Sequence, residues 1–125
     1  MSLITVMRSK LHMATVTDVN QNYEGSIGIY SGLAGLAGFY ANEQLHVLNM
    51  ENGKRVITYL IPSEKPDEVC VNGAAAKFFE FGDRIIVIAY ATIDFRFLTE
   101  FTSTTLVLGN KNQIVKTKET RCYEL

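Results

Sequence analysis

The stretch QLHVLNMENGKRVITYLI, residues 44–61, decides the architecture. At its centre Glu51-Asn52-Gly53-Lys54 reads as a tight hairpin turn, because Asn-Gly tolerates the positive φ that a two-residue turn needs. Residues 44–50 before it and 55–61 after it read as two antiparallel strands. Arg55, Ile57 and Tyr59 alternate onto one face of the second strand. Further short β-runs between turn signals lie on both sides. Upstream, residues 3–7 are apolar and β-branched, and residues 12–19 alternate, with Ala14 and Val16 on one face and Thr15 and Thr17 on the other. Asn20-Gln21-Asn22 is a turn, and residues 26–30 suit a short strand. Ser31 is placed as the N-cap of a helix carrying Leu33, Leu36, Ala37 and Tyr40 at helical spacing. Gly32, Gly35 and Gly38 each weaken it by about 1 kcal/mol relative to alanine, so it should be short. Downstream, residues 62–67 form a polar loop and residues 68–71 a short strand. Asn72-Gly73 turns into a brief helix over 74–77, and Gly82-Asp83 turns again. Residues 84–93 are apolar enough for a strand buried on both faces. Residues 104–108 suit a strand, and the Lys-rich end after Asn110 reads as a solvated edge or tail. Six or more short strands with two short helices predict a mainly β chain, a small closed barrel that leaves no exposed edges.

The 125 residues point to one domain, residues 1–125. Twelve basic residues against thirteen acidic ones give a formal net charge of -1, without the basic footprint of nucleic-acid binding. No apolar run approaches a membrane span, and no signal peptide opens the chain, so a cytoplasmic location is expected. Cys70 and Cys122 have neither metal nor redox spacing and read as reduced thiols. HExxH, P-loop and GxSxG motifs are absent, and no metal is expected. Gly25-Ser26-Ile27-Gly28 only loosely resembles a phosphate loop.

Five ordered segments point to a specific chemistry: Arg8-Ser9-Lys10-Leu11-His12; Tyr23-Glu24-Gly25-Ser26; Asn52-Gly53-Lys54-Arg55 with Thr58-Tyr59; Asn72-Gly73-Ala74-Ala75-Ala76; and Gly82-Asp83 with the apolar strand after it. Together, over about residues 3 to 93, they resemble the pyruvoyl-dependent aspartate 1-decarboxylase family. The resemblance implies a double-psi β-barrel, usually a homotetramer with intersubunit sites, made as a proenzyme that cuts itself between Gly25 and Ser26 into residues 1–25 and 26–125. It implies conversion of L-aspartate to β-alanine and carbon dioxide, through a Schiff base on the pyruvoyl group made from Ser26, in pantothenate and coenzyme A synthesis. A need for a maturation factor stays open.

These residue types suit that chemistry. Decarboxylating an α-amino acid leaves a carbanion at Cα that no ordinary side chain delocalises, so an electron sink is required. Ser26 would attack the Gly25 carbonyl to give an ester; elimination then leaves a dehydroalanine, which tautomerises and hydrolyses to the pyruvoyl with loss of ammonia. Gly25 is expected to hold a strained peptide that the acyl shift relieves. Arg55 matches the family arginine that pairs with a substrate carboxylate, and its planar fork suits a bidentate contact. Lys10 matches a second cation. Tyr59 matches the tyrosine that returns a proton to Cα, and Thr58 the threonine that stabilises the oxyanion during cleavage, although period two puts these neighbours on opposite faces. Asn72 and the backbone of Gly73, Ala74 and Ala75 match the loop holding the pyruvoyl; His12 and Tyr23 match positions lining the site. Departures from the family pattern are Leu48 in place of an aromatic, Tyr30 in place of an aspartate, an acidic loop over 62–68, and the last 30 or so residues. The competing reading is a non-catalytic β-barrel binding module, which would leave the chain uncut.

Overall fold

The computed structural model describes residues 2–125. Nine strands form one sheet: β1 (Leu3–Thr15), β2 (Asp18–Asn20), β3 (Ser26–Tyr30), β4 (Gln44–Asn49), β5 (Arg55–Ser63), β6 (Val69–Asn72), β7 (Arg84–Asp94), β8 (Thr102–Leu108) and β9 (Ile114–Arg121). Their order is β2-β6-β3-β5-β4-β7-β1-β8-β9. Only Val16 and Thr17 separate β1 from β2, yet these strands lie near opposite ends of that order, so the sheet must curl on itself. Backbone bonds at the crossing fix the curl: Thr17 N–H donates to Val69 O at 2.8 Å and Val16 N–H to Asp83 O at 2.8 Å. The result is barrel-like, as the strand-rich sequence predicts. Side chains alternating inward from β1, β3, β4, β5, β6, β7 and β8 fill it as one cluster, among them Leu11, Ile27, Leu45, Leu60, Val71 and Val87.

Local chemistry explains where the elements begin and end. The Asn-Gly turn forms as expected: Gly53 takes φ +73°, and Lys54 N–H donates to Asn52 Oδ1 at 2.9 Å. The helix, α1 (Ser31–Leu36), is as short as its glycines predict. Its N-cap is Tyr30, with no side-chain cap bond, rather than Ser31, because β3 runs directly into the helix. The expected apolar face also breaks early. Gly38, at φ +74°, ends the helix in a Schellman turn, with Phe39 N–H bonded to Ala34 O and Gly38 N–H to Gly35 O. Phe39 therefore takes the core position, while Leu36 and Tyr40 stay exposed.

Two strand readings change as well. Residues 84–93 are buried on one face only: Ile85, Val87 and Ala89 point inward, Ile86 and Ile88 are half-buried, and Tyr90 is exposed. The segment read at 3–7 and the first part of that read at 12–19 join into one long β1 ending at Thr15, made continuous by bulges at Arg8 and Met13, while Asp18 and Val19 belong to β2. Met13 adopts φ +66°, so Leu11 and Ala14 can both face the core while Lys10 and His12 stay on the outer face. After Asn110 the chain is not a tail; β9 pairs along the whole of β8. Its residues are nearly all exposed, which is why its sequence reads as solvent-bound. Just before it, buried Asn112 clamps the barrel, accepting from Thr15 N–H at 2.7 Å and donating to Thr15 O and Asp67 O. No helix among the described residues is long and apolar enough to cross a membrane.

Candidate active site

Ser26 opens β3 and is wholly buried. Its hydroxyl donates to Glu24 O at 3.1 Å and accepts from Asn72 Nδ2 at 3.0 Å. Asn72 stands across from it in the antiparallel β3–β6 pair. Its amide is oriented in turn by Cys70, whose thiol donates to Asn72 Oδ1 at 3.2 Å. Burial, with the carboxylates of Asp18 and Glu68 adding to it, pushes the Cys70 thiol up to about 11, so it stays a protonated donor at neutral pH. The chain Cys70–Asn72–Ser26 thus presents the Ser26 oxygen in one orientation beside the Gly25–Ser26 peptide. A cavity of about 320 Å³ opens against Cys70 and Asn72, with Tyr23, Asp18 and Glu68 on its walls.

Backbone strain does not fall on Gly25. That residue lacks a positive φ, and a Cβ there would meet nothing within 4 Å. The requirement for glycine lies across the gap. Gly73 has φ +77°, and a Cβ on it would lie 2.5 Å from Gly25 Cα and 2.8 Å from Gly25 N. Close approach of two backbone segments, rather than a twisted scissile residue, is what this sequence builds. Gly73 also starts a 3₁₀ helix over Gly73–Phe78, which carries Ala74 and Ala75.

β5 runs parallel to β3 with Ile27 level with Leu60. Thr58 and Tyr59 immediately precede Leu60 on β5, as Gly25 and Ser26 precede Ile27, so the two pairs enter the ladder from the same end. The β4–β5 pairing has no bulge, so Thr58 and Tyr59 do point to opposite faces. Thr58 shares the inward side with Leu60, and Tyr59 the outward side with Ile57 and Arg55. On that outer face Arg55 Nη1 lies 3.0 Å from His46 Nδ1. A guanidinium only donates, so Nδ1 accepts and the ring proton sits on Nε2. His46 packs edge-on against Tyr90, with ring centroids 4.8 Å apart. Leu48, the departure from the family aromatic, stands directly across from Arg55.

Lys10 and His12 lie elsewhere. They line a separate cavity on the outer face of β1. Three strand steps separate β1 from β5 in the sheet order, roughly 14 Å along the sheet. His12 Nδ1 is buried without a hydrogen-bond partner. One chain therefore gathers Ser26, Gly25, Asn72, Gly73 and Tyr23, runs Thr58 and Tyr59 alongside, and holds Lys10 and His12 apart. Cys70, bonded to Asn72, and His46, bonded to Arg55, are contacts that residue patterns did not reveal. His46 was in reach, because the hairpin register sets it diagonal to Arg55 on one face. Cys70 carries no such signal, since its contact depends on β6 packing against β3.

Comparison with known proteins gives the family. The family model for aspartate decarboxylase matches residues 2–115, beyond the stretch that the ordered motifs span. The chain is 42% identical over 113 residues to the aspartate 1-decarboxylase of Campylobacter concisus, covering 90% of this chain and 97% of that protein. It is 45% identical over 111 residues to that of Bacillus pumilus, covering 88% and 87%. For that of Clostridium botulinum the identity is 41% over 114 residues, covering 90% of each. A family match across nearly the whole chain, on a barrel-like sheet that buries Ser26 against Asn72, makes this protein a member of the aspartate decarboxylase family.

Proposed function

We propose that this protein decarboxylates L-aspartate to β-alanine and carbon dioxide, using a pyruvoyl group that it makes from its own Ser26, in cytoplasmic pantothenate and coenzyme A synthesis. The observation that carries the reading is the buried Ser26 hydroxyl, held by the Asn72 amide immediately after Gly25. That setting fits the group. Ser26 Oγ attacks the Gly25 carbonyl, the Gly25–Ser26 amide bond breaks, and an ester forms. Thr58, on the strand that pairs with β3, holds the oxyanion in this reading. Elimination releases the Gly25 carboxylate and leaves a dehydroalanine; water then replaces its nitrogen, which leaves as ammonia. Bound in place, the pyruvoyl supplies the electron sink for the carbanion at Cα.

The chain's own side chains do the rest. Arg55, fixed by His46, takes one substrate carboxylate in a bidentate contact. Lys10 takes up negative charge from the second face, Tyr59 returns a proton to Cα, and the backbone of Gly73, Ala74 and Ala75 borders the substrate with Asn72. His12 and Tyr23 line the pocket. Because Lys10 and His12 lie apart from Ser26 within one chain, the complete site forms where two copies meet, in a homotetramer.

Two measurements test this. Intact mass spectrometry of protein incubated warm should give two polypeptides, residues 1–25 and residues 26–125, the longer with a blocked amino terminus. A single uncut mass would sink self-cleavage and favour a non-catalytic binding module. Tyr59→Phe should cut normally, since its phenol is not placed in cleavage, yet release β-alanine about a hundredfold more slowly, as expected for loss of one proton-transfer group. An uncut Tyr59→Phe would place the phenol in the earlier step.

A further inference from the structure

β9 lies almost wholly past residue 115, where the family match ends, and it brings Lys116 and Lys118 to the outer face of the barrel, of which Lys118 lines the cavity beside Lys10. Lys10 on β1 is level with Thr105 on β8, and Thr105 with Lys118 on β9. Partners in register project to the same face. The row Lys10–Thr105–Lys118 therefore crosses three adjacent strands, with the two lysine Cα atoms about 10 Å apart. Both ammonium groups can converge over Thr105 on four-carbon stems. Along the same strands, Ser103 is level with Thr120, adding two hydroxyls. These residues and His12 line a cavity of about 270 Å³ that has no carboxylate on its walls. Among the described residues neither lysine forms an ion pair. Two like charges so placed repel each other unless an anion lies between them.

We infer that Lys118 is a second cation of the substrate wall that Lys10 provides, so that one carboxylate of a dicarboxylic amino acid is held between the two ammonium groups with the hydroxyls of Thr105 and Thr120 beside it. This rests on the reading of Lys10 as a substrate cation. The C-terminal strand, matched least to relatives, then sets substrate affinity.

The test uses the mature cut protein. Lys118→Gln should raise KM for L-aspartate about tenfold, the effect of one charge-assisted hydrogen bond, while kcat and the extent of self-cleavage hold. Lys118→Arg should restore most of the affinity. Arg121→Gln, three residues along and on the opposite face of β9, should keep the wild-type KM. An unchanged KM in Lys118→Gln, or an equal rise in Arg121→Gln, overturns the inference. Calorimetric titration of the wild type with succinate separates it from the proposed activity. If aspartate is not turned over but succinate binds in a Lys118-dependent way, the anion pocket stands and the decarboxylase reading falls. If succinate binds equally well to Lys118→Gln, the pocket itself is refuted.

Discussion

Ser26→Ala should remain a single 125-residue polypeptide and release no β-alanine from aspartate. The expectation is absolute rather than graded, because the substitution removes both the nucleophile of the cut and the precursor of the electron sink. No other hydroxyl occupies the position between Glu24 O and Asn72 Nδ2. Folding should survive. The lost hydroxyl leaves the buried Asn72 amide short of one acceptor, a penalty of about 1–3 kcal/mol. The alanine methyl is apolar in a site with no solvent exposure, which offsets part of that. Circular dichroism would establish the fold and intact mass the uncut chain. Activity in an uncut Ser26→Ala protein would mean that the electron sink comes from elsewhere.

The second large effect is expected at a residue with no side chain to take part in the chemistry. Gly73→Ala puts a Cβ 2.5 Å from Gly25 Cα, against backbone that cannot swing aside as a flexible side chain would. It also forces alanine to φ +77°, a strain of about 1–3 kcal/mol. Either β6 or the segment before Ser26 must move. A displacement of about an ångström costs a positioned reaction about a hundredfold, so self-cleavage should slow by at least that and the melting temperature should drop. Gly25→Ala makes the informative contrast, since its Cβ meets nothing within 4 Å. That variant should fold as stably as the parent. If both variants melt alike, the close approach of the two segments is not what constrains Gly73.

The residues differ in how plainly their sequence announces their place. The β4–β5 hairpin was legible because Asn52-Gly53 fixes turn and register together, and register fixes which side chains share a face. The joined β1 was not, since bulges at Arg8 and Met13 shift the side-chain period twice and disguise one strand as two. β7 looked buried on both sides because Ile86 and Ile88 are apolar, yet within one chain their face is only half covered. For the site, the ordered segments nominate Ser26 and Asn72, which the structure brings into contact, and Arg55 and Tyr59, which it sets on one face of β5. They did not reveal that Gly73, rather than Gly25, bears the positive φ. That depends on two loops meeting, which no local pattern encodes. The charges of β9 read as solvation when taken alone and as a pocket wall only once β8 sets Lys118 beside Thr105.

β1 sits in the interior of the strand order, between β7 and β8, and is followed at once by β2. A cut after Gly25 would assign both strands to the short fragment. The mature protein would then be a complex of two polypeptides, with the smaller threaded through the middle of the larger. Its unfolding changes molecularity: a single chain opens and recloses on itself, whereas the cut pair separates and must find its partner again. In the proposed scheme the bond is cut within the formed barrel, where Asn72 holds the Ser26 hydroxyl. A cut fold would carry a memory of its intact precursor, and after denaturation its recovery would depend on protein concentration in a way the uncut chain does not know.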